Sequence, residues 1–315
     1  MIALIARRAV ASLAILVLVT FLVFLVVYFS PGDPVAIMLG RDASGETADQ
    51  IRRDLGLDRP FLVQYGAWLW GLLGGHFGTS ITMHVPVLDI LVPAYVNTFI
   101  LALASLVIAL TVGVLLGVLS GLRAGGWFDR LAAAISEGLA ATPVFWLGIM
   151  LIWLVSKQLR WLPSSGMFNL RGSHSLADLL AHLVLPAFSA AVLAIAIIMR
   201  LTRASVIDAL NADYARMFAS AGMSTSRLLF TQIARNILAP IVSIGGLQFG
   251  TLFGGVIFVE TVFAWPGLSA QLYNAITAHD IPVIQTGVLM IAATFIVINL
   301  IVDLALVWLN PRARA

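Results

Sequence analysis

The sequence predicts an all-α, polytopic membrane protein with six transmembrane helices, and two observations carry this prediction. Of the 315 residues, 61% are hydrophobic and 10% are charged, whereas about 25% of the residues in soluble proteins are charged. Six apolar runs are each long enough to cross a bilayer, which takes about 20 residues. We place the six spans at roughly residues 9–29, 96–121, 135–156, 180–200, 237–260 and 283–309.

The first apolar run must be distinguished from a cleaved signal peptide, because Arg7 and Arg8 precede it. It continues from Ala9 to Phe29, beyond the apolar core of about 7–15 residues that signal peptides have, and no small-residue cleavage site follows it. We therefore expect it to remain as a membrane helix.

The distribution of arginines predicts the orientation. They cluster near both ends of the chain, in the loop after the second predicted span and between Arg200 and Arg235, and few basic residues lie in the short loops opposite. Short cytoplasmic loops carry the excess of basic residues. Both termini and the Arg-rich loop are therefore expected in the cytoplasm, and residues 30–93 outside. The single lysine, Lys157, and the dispersed arginines leave no basic cluster for nucleic acid.

The external segment, residues 30–93, carries two helix signals. The stretch from Thr47 to Gln50 has the form of a capping box, and residues 61–73 are apolar and rich in aromatic side chains, which prefer the membrane–water interface. We expect a pair of helices on the outer leaflet. Contact with substrate and the seating of an external partner are the alternatives.

Two predicted spans carry glycines four residues apart, a spacing that lets membrane helices approach closely. The sequence leaves open whether these helices pack within one subunit or between subunits. The glycines are Gly113, Gly117 and Gly121 in the second span, and Gly246, Gly250 and Gly254 in the fifth.

Three acidic residues, Glu137, Glu260 and Asp303, lie within or at the ends of apolar runs. An acid at the centre of a membrane helix costs about 2.5–3.5 kcal/mol, so such residues usually face a cavity or a partner. For Asp303 we expect a helix–helix contact. Glu260 begins a segment that includes Phe263 and Trp265, and a role in fixing the turn and a role in gating both stay open.

The polar segment from Asn211 to Pro240 lies between two apolar runs and bears several arginines. Most connections in compact folds are far shorter, and a long ordered one usually has a function. Gly222 interrupts its helix-like pattern. The segment therefore predicts a helix–glycine–helix element at a membrane face, suited to docking a soluble partner.

The sequence predicts no catalytic centre and no metal site. The five histidines are dispersed, without the H-E-x-x-H pattern, and no glycine-rich phosphate loop precedes Lys157. The chain has no cysteine, which excludes disulfides, iron–sulfur clusters and zinc–thiolate sites. If transport is driven by ATP, the motor must be a separate polypeptide. Two other functions are the alternatives. A secondary carrier needs acids at the bilayer midplane and paired broken helices, which the sequence does not clearly show, and an intramembrane enzyme needs a set of catalytic His or Asp residues, which it lacks.

Seven short motifs, spread from one end of the chain to the other, match in order and spacing the motifs of one known protein family. They are Ser30-Pro-Gly-Asp-Pro34, Leu55-Gly-Leu-Asp-Arg-Pro60 with Gln64-Tyr65, Gly75-His-Phe-Gly-Thr-Ser80, Glu260-Thr-Val-Phe-Ala-Trp-Pro-Gly-Leu268, Asp280-Ile-Pro-Val-Ile-Gln285, Asn299-Leu-Ile-Val-Asp303 and Asn310-Pro-Arg312. His76 stands where the family usually has an acid. The chain resembles the membrane-spanning permease subunits of ABC importers, in the branch that moves dipeptides, oligopeptides, glutathione and nickel.

The resemblance implies a type I ABC importer permease fold with an external helical insertion after the first span. The implied parts are the first transmembrane helix (residues 1–29), the external loop with short helices (30–93), the permease core (94–309) with the coupling loop inside it (201–236), and a cytoplasmic tail (310–315). The implied partners are a homologous second permease, two ABC ATPase subunits or domains and an external solute-binding protein. This chain would bind no cofactor, and ATP and Mg would be used by the ATPases. It would lie in the bacterial inner membrane.

The resemblance also assigns the Arg-rich loop as the coupling loop, whose short helix docks on the ATPase. The expected docking residues are Asp213, Tyr214, Arg216, Met217, Phe218, Ala221, Gly222 and Met223. Where the family commonly has T-A-R-A-K, this chain has Met217-Phe-Ala-Ser-Ala221. The docking surface is therefore expected to be more apolar, with Met217, Phe218 and Ala221 in a groove of the partner.

The expected cargo is a peptide, since peptides are the commonest cargo of the branch. Nickel, a metal chelate or glutathione is the alternative within the same architecture, and a secondary carrier that works without an ATPase is the less favoured one. The candidate residues for the gate or the translocation path are Glu260, Phe263 and Trp265.

Overall fold

The computed structural model describes residues 2–29, 49–50, 53, 58–169, 175–228, 231 and 233–309. Within these residues the backbone forms helices and turns, with an isolated β-bridge between Thr79 and Pro86. The all-α prediction is confirmed. The chain divides into two compact units: unit one comprises residues 1–97 and 266–296, and unit two comprises residues 98–265 and 297–315.

The helices are numbered in chain order. They are α1 (Ile2–Tyr28), α2 (Phe61–Leu73), α3 (Val87–Leu122), α4 (Trp127–Ala141), α5 (Val144–Leu151), which continues as a π-helix (Ile152–Gln158), α6 (Leu176–Asn211), α7 (Asp213–Ser220), α8 (Thr225–Leu228), α9 (Ala234–Gly255), α10 (Ile257–Val262), α11 (Leu268–Thr277) and α12 (Ile281–Leu309).

Among the described residues, five helices are long and apolar enough to cross a membrane: α1, α3, α6, α9 and α12. The third predicted span, residues 135–156, is not one straight helix. It begins earlier, as α4, and the chain bends by 102° between α4 and α5. The break follows from Pro143, which lacks an N–H and disfavours the helical region for the residue before it. Thr142 accordingly has ψ 126.

The helices α3 and α6 have 36 residues each, so each is about 54 Å long at 1.5 Å per residue. This length exceeds the hydrocarbon thickness of about 30 Å, and both helices extend beyond the spans predicted from hydropathy. Because α6 continues to Asn211, residues 201–211 belong to this helix. The predicted coupling loop, residues 201–236, therefore begins with helical residues, and its irregular part begins at Ala212.

In unit one, α2 packs against the side of α1 through aromatic rings. The Tyr65 hydroxyl lies 2.9 Å from Thr20 Oγ1, and the rings of Phe21 and Phe24 contact Phe61 and Tyr65 with centroids 5.5–5.6 Å apart. Thr20 lies eight residues before Tyr28, where α1 ends. Helix α2 therefore lies alongside α1 rather than beyond its end. The predicted capping box at residues 47–50 falls partly outside the described residues.

A buried carboxylate, that of Asp280, connects two turns of unit one. Asp280 is 1% exposed and accepts hydrogen bonds from the hydroxyls of Ser80 and Thr82, the latter at 2.8 Å, and from the N–H groups of Ile81 and Thr82 at 3.2 Å. It fastens the turn before α3 to the turn between α11 and α12. This arrangement explains how an acid can be buried, since charge-assisted hydrogen bonds compensate its lost hydration.

In unit two, the first glycine series packs α3 directly on α6. A Cβ atom added at Gly113, Gly117 or Gly121 would lie 3.0, 2.7 or 2.8 Å from the nearest atom of α6. The nearest atoms include the carbonyl oxygens of Ile195 and Met199, so the two backbones are in contact. For this series the packing is within one chain, which settles a question that the sequence left open.

The second glycine series behaves differently. A Cβ atom at Gly246 would lie 2.1 Å from a Val302 methyl group in α12, whereas Gly254 is exposed. Only part of this series is therefore used for packing inside the chain.

Candidate functional site

The segment after α6 has the helix–glycine–helix form that its sequence predicts. Helix α6 ends at Asn211, Ala212 after it has the extended ψ of 149, and α7 starts with the next residue. Gly222 then adopts φ +84, and the N–H of Met223 donates to the Phe218 carbonyl at 3.1 Å. A left-handed residue with this bond pattern is a common end for a helix and favours glycine. A Cβ at Gly222 would meet no atom within 4 Å, so only the backbone conformation requires the glycine.

One side of α7 is anchored to its own subunit. A buried cluster, here called the loop cluster, joins α6, α7, α8 and α9, and apolar residues of α3 also pack against it. Its members are Val206, Ala209, Ala215, Leu228, Ile233, Ile237 and Ile241. Tyr214, Phe218 and Met223 are half-buried against this cluster. Apolar packing thus holds the loop on the end of α6.

The other side of α7 is exposed. Asp213, Arg216, Met217 and Ser220 are open to solvent, and Ala221 after the helix is exposed too. Met217 has 59% of its surface exposed. The helical period explains the division, since residues three and four apart share a face. Phe218, a member of the apolar contact face predicted from sequence, packs against its own subunit, and Met217 and Ala221 are the exposed members of that face.

The structure adds a polar site that the sequence reasoning missed. Asp129, in the first turn of α4, is 3% exposed and pairs with Arg203 of α6. Its Oδ1 accepts from Arg203 Nε at 2.5 Å and from Ser120 Oγ at 2.6 Å. Its Oδ2 accepts from Arg203 Nη2 at 2.7 Å and from the Gly125 N–H at 2.8 Å.

Arg203 lies within α6 and not in a loop, so its charge alone does not predict this pair. The signal that could have revealed it is an acid two residues inside a helix that starts after Gly125-Gly126, close in sequence to the end of a membrane span. The carboxylate accepts a hydrogen bond from the turn before the helix. If the carboxylate is buried, its negative charge also requires a cationic partner.

Glu260, the first candidate for a gate, is buried in unit two. Its side chain is 1% exposed, and its Oε1 accepts a hydrogen bond from Thr98 Oγ1 of α3 at 2.5 Å. Its carbonyl also accepts from the Trp265 N–H at 2.8 Å, closing the turn after α10, in which Ala264 has φ +46. Both the side chain and the backbone of Glu260 therefore fix this turn.

The other two candidates are buried as well. Phe263 and Trp265 are each 1% exposed. The Phe263 ring packs against Gly148 of α5, where an added Cβ would lie 3.1 Å from a ring carbon, and its carbonyl accepts from the Gly166 N–H at 2.8 Å. The three candidates thus lie in one buried turn, and none of them is open at the surface of this chain.

The other acids that the sequence singled out, and one histidine, differ in their exposure. Glu137 is exposed, and Asp303 is half-buried. His182 Nδ1 lies 3.3 Å from an oxygen of the Asp178 carboxylate. Among the described residues, no group of three or more His, Cys, Asp or Glu side chains could hold a metal ion.

Comparison with protein families decides what kind of protein carries these features. The family described as "Binding-protein-dependent transport system inner membrane component" matches residues 113–315, and its N-terminal counterpart matches residues 1–102. The chain belongs to this family. It is therefore a multi-pass inner-membrane component of a transport system and not an enzyme, as the sequence predicted.

Relatives with similar sequences extend over the whole chain. The "Probable peptide ABC transporter permease protein y4tP" of Sinorhizobium fredii is 37% identical over 98% of both chains. The "Dipeptide transport system permease protein DppB" of Escherichia coli is 37% identical over 94% of both. The "Glutathione transport system permease protein GsiC" of Pectobacterium atrosepticum is 36% identical over 98% of this chain and 97% of its own.

A solved structure supports the fold. A chain from the inward-facing MetNI methionine ABC transporter superposes with a TM-score of 0.56 at 18% identity, and the match covers 71% of this chain and 98% of that one. At this identity the likeness concerns the fold alone. The predicted permease fold is confirmed.

Proposed function

We propose that the chain is one permease subunit of an ATP-driven importer and that its cargo is a peptide. The observation that carries the proposal is the full-length similarity to permeases named for peptides and dipeptides, at 37% identity over 94–98% of the chain. Similarity that covers every span includes the residues that would line a path. A likeness limited to the fold would not support a cargo.

The proposed complex contains a second, homologous permease, two ABC ATPase subunits or domains and an external solute-binding protein. The ATPases use ATP and Mg, and this chain binds no cofactor. Both termini and α7 lie in the cytoplasm, and residues 30–93 lie outside. ATP binding brings the ATPases together, and the permeases rock between inward-open and outward-open states, which is a shift between two conformations.

The proposed ATPase contact is the exposed side of α7 together with the glycine turn. Asp213, Arg216 and Met217 are the exposed docking residues within α7, and Ala221 and Gly222 follow in the turn. Tyr214, Phe218 and Met223 hold this surface on the loop cluster. A short helix presented in this way suits a groove on a partner.

The turn formed by Glu260, Phe263 and Trp265 is proposed to take part in gating as one body. All three residues are buried, Glu260 accepts a hydrogen bond from Thr98 of α3, and Phe263 packs against Gly148 of α5, so we expect a conformational change to move the turn as a whole.

Glutathione is the second candidate cargo, because glutathione permeases are 35–36% identical over 98% of the chain. Nickel or a metal chelate is the third, from motif similarity alone. A secondary carrier would transport its substrate without an ATPase. The assay below separates these cases by the cargo added and by the requirement for ATP.

The experiment uses the complete complex in vesicles, with peptide-loaded binding protein, and measures uptake and ATP hydrolysis. We expect a dipeptide to stimulate hydrolysis more than glutathione or nickel. Met217→Asp should abolish the stimulation, because it places a charge in the proposed ATPase contact, whereas Met217→Leu should retain it. Stimulation by glutathione and not by the dipeptide would show that the cargo is glutathione. Uptake by the permeases alone under an ion gradient would show a secondary carrier and would reject the proposed ATP-driven importer.

The orientation has its own test, which the absence of native cysteines simplifies. A cysteine at Ser44 should react with an impermeant thiol reagent in intact cells, and a cysteine at Ser224, which is exposed, should react only after lysis. The reverse pattern would contradict both the orientation and the docking assignment.

A further inference from the structure

The Asp129 carboxylate connects three parts of unit two at one point. Ser120 belongs to the last turn of α3, Gly125 to the turn that follows, and Arg203 to α6, and all three donate to this carboxylate. Arg203 binds both oxygens as a fork, at 2.5 and 2.7 Å. A fork restricts rotation as well as distance, which a single hydrogen bond does not.

The backbones of α3 and α6 are in close contact beside this point. A Cβ at Gly121 would lie 2.8 Å from Val206 Cβ and 3.1 Å from the Arg203 carbonyl oxygen. Close packing of this kind transmits a displacement, because the interface has no free volume in which to absorb it. The end of α6, the end of α3 and the start of α4 are therefore expected to move together.

The same end of α6 carries the loop helices. From Arg203 the helix continues for two turns to Asn211, and α7 begins after a single non-helical residue. Val206 and Ala209 of α6 share the loop cluster with Ala215 of α7. A force on α7 therefore acts on α6 within a few residues of the fork.

We propose that Asp129 and Arg203 are positioning residues of the transport cycle, which transmit a displacement of α7 through α6 to α4 and its bent partner α5. This inference rests on the proposed function, since it takes α7 as the element on which the ATPase acts. The pair contacts neither the cargo nor ATP, and it acts by making α4 follow α6.

Variants of the pair separate transmission from folding. In Arg203→Gln the fork is lost, and in Asp129→Asn the amide NH₂ faces N–H donors. In the assembled complex, both should reduce peptide-stimulated ATP hydrolysis by about tenfold, within the range of coupling between distant sites. Basal hydrolysis and co-purification of the ATPases should remain. Arg203→Lys keeps the charge without the fork and should recover part of the stimulation. The matched controls are Arg200→Gln and Arg130→Gln, because both arginines are exposed on the same two helices.

A distance measurement tests the inference without any cargo. Cysteines at Ala134 in α4 and Ala204 in α6, both exposed, can carry spin labels in a chain that has no other cysteine. In the wild-type background the distance between the labels should be unchanged when a non-hydrolysable ATP analogue closes the ATPases. In Arg203→Gln the distance should change or its distribution should broaden.

The outcomes distinguish this inference from the function on which it rests. Full stimulation in Arg203→Gln, or the same label distances in both backgrounds, would overturn the role of the pair. Loss of the ATPases from the complex in all variants, Arg203→Lys included, would also overturn it, because the pair would then serve assembly. A wild-type complex that does not respond to peptide would reject the cargo and leave the label measurement valid.

Discussion

The contact between α3 and α6 can be tested by adding one methyl group, in the substitution Gly117→Ala. An added Cβ would lie 2.7 Å from both the Met199 carbonyl oxygen and Thr202 Cβ. Neither atom belongs to a flexible side-chain end, so the helices must separate to accept the methyl group. Gly138→Ala in α4 is the matched control, because a Cβ at Gly138 meets no atom within 4 Å.

The expected magnitude follows from two terms. Overpacking a close interface costs about 1–3 kcal/mol, and replacing glycine by alanine inside a helix gains about 1 kcal/mol. The second term is common to both variants and cancels between them. Gly117→Ala should therefore be less stable than Gly138→Ala by about 1–3 kcal/mol, and Gly121→Ala, where the Cβ would lie 2.8 Å from Val206 Cβ, should follow closely.

Thermal unfolding of the purified protein in detergent, followed by the fluorescence of its eight tryptophans, measures the difference. For a chain of this size each kcal/mol lowers Tm by about 2 °C, so the two variants should differ by about 2–6 °C. Equal Tm values would show that α3 and α6 do not approach as closely as the structure has them, and that a displacement is not transmitted along this interface.

Two further substitutions test the buried acids. Glu260→Gln retains an oxygen that can accept from Thr98 and should leave the amount of protein in the membrane unchanged while altering uptake, whereas its failure to accumulate would show a purely structural acid. Asp280→Asn in unit one opposes an amide NH₂ to buried donors and should cost about 2–4 kcal/mol of stability, measured as a lower Tm. Asp89→Asn, at an exposed acid in the first turn of α3, is its control and should change the Tm little.

The spans could be predicted from sequence because hydropathy over about 20 residues depends little on tertiary contacts. The break at Thr142-Pro143 is readable in principle, yet a proline inside a helix is not decisive. Pro93 and Pro186 lie within the continuous helices α3 and α6, where neighbouring groups can satisfy the freed backbone carbonyls. The direction of the bend depends on the packing around it, which a single sequence does not encode locally.

The candidate site was predictable only in part, for a similar reason. The glycine stop at Gly222 follows from a local backbone requirement, and the structure has it at φ +84. Which side of α7 packs on its own subunit depends on the loop cluster, whose residues come from four helices, and the half-buried position of Phe218 was not predictable for that reason. The partner of Asp129 lies 74 residues away along the chain, beyond the reach of any local pattern.

Helix α3 connects the two buried acids of unit two, and this has a consequence for the transport cycle. Within α3, Thr98 donates a hydrogen bond to Glu260, and Ser120 donates one to Asp129. These residues are 22 positions apart, so about 33 Å of helix separates them. Mutations at such a distance normally have additive effects. If α3 moves as one rod with α6, Glu260→Gln and Asp129→Asn should instead be non-additive in peptide-stimulated ATP hydrolysis, the double variant being little worse than the poorer single one. Strict additivity would mean that the turn at Glu260 responds to the cargo independently of the Asp129–Arg203 pair. In that case α3 contacts both sites without coupling them.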